Sequence, residues 1–543
     1  MIQNTENGRQ AVKKRYGKRE RLQILHADIP IELPYLISIQ KDSFNKFLNE
    51  GMWNIMKEFT PIVDFSGKAE LSFLNVKLDP ETKYDKYECM RRGLTYSCPI
   101  IATCRLINRE TGSVVEKEVY VGDMPMMTEE GTFIINGVER VIVSQIVRSP
   151  SVYYKSEMDK TGVRLFAGQM IPSRGEWIEF ETTPLGVIKA IINRASKVSL
   201  GVFLKGMLWS YEEAKVYMKK MGVKKEDESS TNVFNDYIAN LFGNDELILS
   251  TLDKEALKSP EDCLIELSKK LRPTELPSAD AIKSYLNSVF YNEQRYDLAR
   301  VGRYKFNNKL SLANRIIKQV LFEDVKLEDK VIKKGTEIDR DLAWEIQDSG
   351  INEVWVDVNG KGHKMIGNRM VHLDKVINCN PSELGIYELV HYPTLMQILS
   401  EHKTKEDKLQ AISENVDKLC TKTLTIDDLI ASVSFLLDLN AGIGVTDYID
   451  HLANRRVCPV GELMSGALRQ GMVKLVNLAK ESMQGQDLTQ ADPTTVINAR
   501  PINKELRNFV ATSQLSQIMD QVNPIAELTQ KRRLSAVGTG GIK

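Results

Sequence analysis

Between about residues 67 and 147 apolar side chains recur mostly at every second position. Leu74, Val76 and Leu78 alternate with Phe73, Asn75 and Lys77, and Ile100, Ala102, Cys104 and Leu106 alternate with Ile101, Thr103 and Arg105. A period of two marks a strand with one buried face, so a twisted antiparallel sheet is predicted here. The run Phe133-Ile134-Ile135-Asn136-Gly137-Val138 sets Asn-Gly between apolar residues, the pattern of a tight hairpin. From about 150 to 440 the pattern is mixed. Strand-like pieces at 177–180 and 187–192, and a second Asn-Gly turn (Asn359-Gly360) after Val354-Trp355-Val356-Asp357-Val358, lie among helical stretches and charged connectors such as 224–230. Arg174-Gly175-Glu176-Trp177 reads as a turn into a strand, with Trp177 in the core. Arg272-Pro273-Thr274-Glu275 with Pro277 reads as a loop or a helix approach.

Past Gly444 the period lengthens. Leu463, Ala467, Leu468, Met472, Leu475, Val476 and Ala479 fall on one helical face, with Arg469, Lys474 and Lys480 off it. Asn523-Pro524 opens a further helix, the Asn capping and the Pro at the first helical position. Short helices broken by polar turns are expected from 504 to 535. The fold class is therefore α+β and multidomain. At 543 residues the length suggests about three or four domains of ~100–200 residues.

Composition changes this picture little. Hydrophobic residues are 42% and charged residues 27%, as in globular chains. The best apolar run, 429–437, is bracketed by Asp427, Asp428 and Asp438 and falls short of the ~20 residues of a membrane helix. The first ten residues are polar and lack an apolar signal core, so a cytoplasmic location is expected. Lys+Arg and Asp+Glu are 73 each, which excludes a globally basic coat. The charge is uneven, however. Residues 9–21 carry a net +6 and 500–543 a net +4, which leaves 22–499 at −9 once Glu6 is counted. A solvated charged arm is the plain reading of the first cluster, and contact with a phosphate backbone the sharper one.

Self-contained catalysis finds little support. The seven cysteines (Cys89, Cys98, Cys104, Cys263, Cys379, Cys420 and Cys458) form no C-x-x-C pair, and the six histidines are scattered, so reduced core thiols are expected rather than zinc or disulfides. Phosphate loops, dinucleotide fingerprints and nucleophile elbows are absent from the sequence. Asp447 and Asp450 are three apart without a third ligand, and read as surface acids. The informative stretch is Ser513-Gln514-Leu515-Ser516-Gln517-Ile518-Met519-Asp520, followed by Asn523, Thr529-Gln530-Lys531-Arg532-Arg533 and Ser535. Its amides and hydroxyls are neutral hydrogen-bonders and its arginines are forks for phosphate oxygens. Asp520 stands alone there, so acid/base work is a poor fit, and either a polyanion-holding surface or an ordinary solvated helix pair remains.

Those residues, with Leu534-Ser535-Ala536, resemble the rifamycin-binding segment of the bacterial RNA polymerase β family. Other motifs agree in order: Arg19-Glu20-Arg21 and Ile31-Glu32-Leu33-Pro34, Asn136 to Gln145 with Arg148-Ser149-Pro150, Arg295-Tyr296-Asp297-Leu298 with Val301-Gly302-Arg303, and Asp450 to Arg456 with Val460-Gly461-Glu462. The resemblance spans almost the whole chain. It implies a basic arm (1–20) and an antiparallel-sheet protrusion (21–145, rejoined by a helical 446–510) interrupted by a mixed α+β lobe (146–445). Short helices then lead into the start of the fork region (511–543). It further implies that Gln514, Gln517, Asn523, Arg533 and Ser535 line the nascent RNA path, with Arg533 on phosphate and Gln517 making a neutral hydrogen bond. The implied rifamycin pocket adds Ser513, Leu515, Ile518, Asp520, Gln530 and Val537, with Val143 and Gln145 at its far side. Arg455, Arg456 and Arg532 are expected to contact nucleic acid or another subunit.

Three departures from the family pattern matter: Gln530 where His is usual, Ile518 where many have Phe, and Val537 where Leu is usual. Weaker rifamycin binding is the expected consequence. The resemblance also implies a multisubunit enzyme containing β′, α and sigma subunits and the remainder of β, acting on template DNA and nascent RNA. No cofactor is expected on this chain, since the Mg2+ of phosphoryl transfer belongs to β′. The chain ends at Lys543, inside the expected fork loop, and alone it is expected not to polymerise. A stand-alone nucleic-acid-binding module and an interaction scaffold are the competing readings. The first predicts salt-sensitive binding without partners, and the second leaves the Gln/Ser/Arg segment unexplained.

Overall fold

In the computed structural model, which describes residues 3–4, 10–23, 34–79, 82, 84–193, 197–208, 229–255, 260–327, 330–377, 379–402, 404–485, 492–538 and 540–542, the alternating stretch is a four-stranded antiparallel sheet. Its strands, in paired order, are Ile62–Val63, Ala69–Leu78, Ser97–Asn108 and Val114–Pro125. Cys98, Ile100, Ala102, Cys104 and Leu106 are buried, as their alternation requires. Alternation fails in the neighbouring strand. Strict period two sets Phe73 opposite Val76 and Leu78, yet all three pack on one apolar core. A register shift between Phe73 and Asn75 inserts an extra residue there and turns the following side chains over. Of the segments singled out above, residues 1–2, 5–9, 24–33, 224–228, 539 and 543 lie outside the described residues.

The chain divides into two compact units, Met1–Val147 with Val457–Lys543, and Arg148–Arg456, where length alone suggested more. In the first unit the helix Val460–Gly485 buries Ala467, Leu468, Met472, Leu475 and Ala479, with Leu463 and Val476 packed beside them. Helix Arg500–Thr512 packs against both this helix and the strand Val114–Pro125. Glycine permits two of these approaches. A Cβ at Gly461 would lie 2.0 Å from the Ser43 carbonyl oxygen, and one at Gly471 would lie 2.9 Å from the Ile502 Cα. The Asn136-Gly137 turn carries φ of 50° and 77°, the pair of positive values that such a hairpin needs. The basic amino-terminal arm is not irregular: Gln10–Tyr16 and Arg19–Gln23 form a hairpin, with Gln3–Asn4 paired beside it.

The second unit is built on a five-stranded antiparallel sheet running in chain order from Ser151–Met158 to Val198–Ser199. Trp177 is half-buried just before the strand Ile178–Thr182. The second Asn-Gly hairpin forms between Glu353–Val358 and Lys361–Ile366. The apolar run 429–437 lies in helix Ile426–Asn440, in which every residue from Asp427 to Leu439 is buried. A helix apolar all round belongs in the middle of a core, and no helix among the described residues is long and apolar enough to cross a membrane. Its bracketing acids are buried with it. Asp428 pairs with Arg303 at 2.9 Å, Asp438 with Arg315 at 2.5 Å and with His363 at 2.9 Å, and Asp427 with His391 at 3.0 Å. Arg303 also donates to the carbonyls of Thr421 at 2.7 Å and Thr423 at 2.6 Å. Asp447 and Asp450 share no site. Asp447 accepts from the Tyr154 backbone N–H and pairs with Lys309, whereas Asp450 pairs with Arg455.

These pairs lead to two stability predictions. Replacing Arg303 by Met strands the Asp428 carboxylate in the core and should cost about 3–5 kcal/mol, read as a lower urea midpoint. Adding Asp428→Asn should recover much of it, and an unchanged midpoint for the single variant would refute the role of the pair. His372 Nδ1 lies 3.2 Å from both Asp348 carboxylate oxygens, and this hydrogen bond raises its pKa above the ordinary value against the opposing effect of partial burial. A raised native pKa gives stability that is complete below the ordinary ~6.5 and lost as pH rises through the native value. The gap in urea midpoint between the native chain and His372→Gln should therefore narrow from about pH 5.5 to about pH 8.5. A gap that widens would reverse the assignment.

Candidate functional site

The informative stretch departs from the helical expectation. After helix Arg500–Thr512 the chain extends, and Ser516–Ile518 pairs antiparallel with the hairpin strand Val138–Ile142, Ser516 opposite Ile142 and Ile518 opposite Arg140. An available edge strand decides the conformation here, over any local preference. The Val143 N–H donates to the Leu515 carbonyl at 2.8 Å, extending the same contact. Further on, Leu534–Ser535 pairs in parallel with Ser144 and Gln145. One continuous segment thus holds 513–537 at both ends. Between them stands helix Pro524–Lys531, with Asn523 accepting from the Ile525 N–H at 2.9 Å and Pro524 at its start.

Two glutamines fix this arrangement. The Gln530 Oε1 accepts from the Asp520 N–H at 2.8 Å, and its Nε2 donates to the Ile518 carbonyl at 3.0 Å, tying helix to strand. Buried Gln40 donates from Nε2 to Ser144 Oγ at 3.1 Å and to the Lys531 carbonyl at 3.0 Å, capping the helix end. Sequence reading missed Gln40. A polar residue four before buried Phe44 in helix Ser38–Lys46, at an otherwise apolar position, was the available signal.

The expected site residues divide into a groove set, a buried set and a remainder that belongs to neither. Asp520, Asn523, Gln530, Arg532 and Arg533 line an open groove of about 860 Å3 with Ile525, Ala526 and Thr529. Val143, Gln145 and Leu515 are buried behind the strand pairing, and Gln145 Nε2 donates to the Val537 carbonyl at 3.3 Å. Ser513 and Gln517 are half-buried, and Gln514, Ile518 and Val537 exposed. Half-buried Ser535 accepts from the Val537 N–H at 3.3 Å. Arg455 and Arg456 belong to the other unit, Arg455 paired with Asp450. The groove offers two exposed guanidiniums, amide and hydroxyl groups, and a single carboxylate. Such a set binds an anion through charge-assisted hydrogen bonds and lacks a partnered acid and base. Among the described residues no three His, Cys, Asp or Glu side chains converge to hold a metal ion.

Gln530→Leu removes both bonds of the helix-to-strand tie. The Asp520 amide should exchange with solvent about tenfold faster, the scale of one broken hydrogen bond. Unchanged protection of Asp520 would show that the groove does not depend on the tie.

Comparison with known proteins gives this geometry its context. Residues 35–504 match the family profile described as RNA polymerase beta subunit. The DNA-directed RNA polymerase subunit beta of Acetivibrio thermocellus is 43% identical over 531 residues, covering 97% of this chain and 41% of that one. Those of Clostridium kluyveri and Clostridioides difficile are each 42% identical, over 532 and 530 residues. The sequence thus spans about two fifths of the length of the curated relatives it matches.

Proposed function

The chain belongs to the RNA polymerase beta subunit family, and from that premise we propose that it serves as the amino-terminal portion of the β subunit of DNA-dependent RNA polymerase. In this reading the protrusion and lobe, about 21–145 with 446–510 and about 146–445, form one wall of the DNA channel. Residues 511–543 open the fork region beside the nascent RNA. The reading is carried by the groove, in which Asn523, Gln530, Arg532 and Arg533 converge around one acid. Contacts to sugar and phosphate carry no sequence information directly, which suits an enzyme that must hold any transcript. Arg533 takes the phosphate contact, with Gln514, Gln517 and Ser535 along the same path.

The same surface would receive a rifamycin, with Gln530, Asp520 and Arg533 in contact and Val143, Gln145 and Leu515 backing the wall. Because both ends of the Gln530 amide are engaged with backbone, its part is to set the shape of the wall. The partners in this reading are β′, α, sigma, the remainder of β, template DNA and RNA, in the bacterial cytoplasm at the nucleoid. The Mg2+ that aligns attacking and leaving oxygens is held by β′. This chain positions nucleic acid and by itself forms no phosphodiester bond.

Transcription by the assembled polymerase tests the assignment, with native, Arg533→Ala and Gln530→His subunits under a rifamycin titration. Arg533→Ala should release more short, abortive transcripts, and Gln530→His should lower the inhibitor concentration needed. Identical product lengths would remove Arg533 from the RNA path. Superimposable inhibition curves for native and Gln530→His would sink the drug reading.

A further inference from the structure

Three Asn-Gly pairs occur in the sequence. Asn7-Gly8 lies outside the described residues, and the fold treats the other two differently. Asn136-Gly137 is held from several sides. Asn136 Oδ1 accepts from Thr95 Oγ1 at 3.4 Å and from an Arg507 guanidinium N–H at 3.3 Å, and the Gly137 N–H donates to the Leu94 carbonyl at 2.8 Å. A Cβ at Gly137 would lie 2.8 Å from the Gly93 Cα, so this turn is packed against backbone. Asn359-Gly360 is open. Both residues are exposed, no atom comes within 4 Å of a Cβ built at Gly360, and the Asn359 side chain has no hydrogen-bond partner among the described residues.

The contact that this turn does make falls on its reactive atom. The Gly360 N–H donates to Asp357 Oδ1 at 2.7 Å. In an Asn-Gly pair the glycine nitrogen is the nucleophile that attacks the asparagine side-chain carbonyl carbon and closes a five-membered ring. Glycine has no Cβ to obstruct that closure, and holding both groups in one turn makes the attack unimolecular. General-base catalysis needs a base within about 2.6–3.2 Å of the atom that gives up its proton. The exposed Asp357 carboxylate meets that requirement, whereas at Gly137 the same N–H is turned to a neutral carbonyl. We propose that Asn359 is a self-modification site, converted to aspartate and isoaspartate with Asp357 as the base. Asp357 takes the Gly360 amide proton as the Gly360 nitrogen bonds to the Asn359 Cγ. The Cγ–Nδ2 bond then breaks, the proton passes to the leaving nitrogen, and ammonia departs. Water opens the resulting succinimide at either carbonyl, giving aspartate or isoaspartate, with no change of oxidation state. Isoaspartate carries an extra methylene in the backbone, which lengthens the turn that joins Val358 to Lys361. The same hairpin bears on the buried network, for His363 Nε2 lies 2.9 Å from Asp438 and the Ile366 carbonyl accepts from Arg315 at 2.5 Å. The site thus couples the age of the chain to the packing of the second unit, whatever the use of the groove at 520–533.

The test is to age the full chain, folded at neutral pH, and map it by tryptic mass spectrometry, with a protein isoaspartate methyltransferase reporting isoaspartate. Peptide 341–361 carries Asn359 and peptide 118–140 carries Asn136. The first should exchange NH for O at Asn359 while the second keeps its mass. Asp357→Asn retains the shape of the side chain and loses the base, so it should slow the conversion about a hundredfold, the lower end of general-base effects. Urea removes the turn. Both sites should then convert alike, and Asp357→Asn should lose its effect. An Asn359 that stays intact in the folded chain, equal conversion at the two sites in the folded chain, or a rate that is unchanged or faster in folded Asp357→Asn overturns the proposal.

Discussion

Backbone hydrogen bonding along one segment underlies the arrangement of the candidate site. Val138–Ile142 and Ser144–Arg148 are strands of the same run, and their edges accept Ser516–Ile518 at one point and Leu534–Ser535 at another. An unpaired strand edge is a row of donors and acceptors that must be satisfied. Once two distant pieces of chain satisfy it, the intervening 519–533 must close as a loop of fixed span. Helix Pro524–Lys531 fills that span, and Gln530 and Gln40 fasten its far end. The positions of Arg532 and Arg533 are therefore set by contacts to residues hundreds of places earlier in the chain.

The second unit solves a different problem. Its central helix is short of polar surface but carries three carboxylates into the core. Each buried charge loses several kcal/mol of hydration, and the structure answers with hydrogen-bonding partners on three other elements. Arg303 lies in helix Ala299–Leu310, Arg315 in helix Leu312–Ile316 and His363 in the strand Lys361–Ile366. Each pair contributes little net energy. It does make the neighbouring elements mutually dependent, because moving one strands a charge on another. A β-sheet and helices that could slide on an apolar surface are thereby held in one relation.

How much of this could be read beforehand depends on the range of the interaction. Asn136-Gly137 and Asn523-Pro524 were legible because their conformations are set by the residues themselves. The stripe from Leu463 to Ala479 was legible because a helix repeats its environment every turn. Ser516–Ile518 was not, since its strand conformation comes from Val138–Ile142 and nothing local records that partner. The bulge after Phe73 escaped for a related reason: one inserted residue leaves composition intact and only changes which face follows. Asp427, Asp428 and Asp438 looked like polar brackets on an apolar run, and the arginines and histidines that admit them to the core lie far away in sequence. The resemblance supplied the site residues, but not their division into a groove and a buried backing wall.

Charge placement separates the roles further. Arg532 and Arg533 follow the last turn of helix Pro524–Lys531, where the helix dipole favours cations. Positive charge there is compatible with the fold, and the arginines can serve a ligand without weakening their own support. Asp427 and Asp428 mirror this at the first turn of the buried helix, where negative charge is favoured.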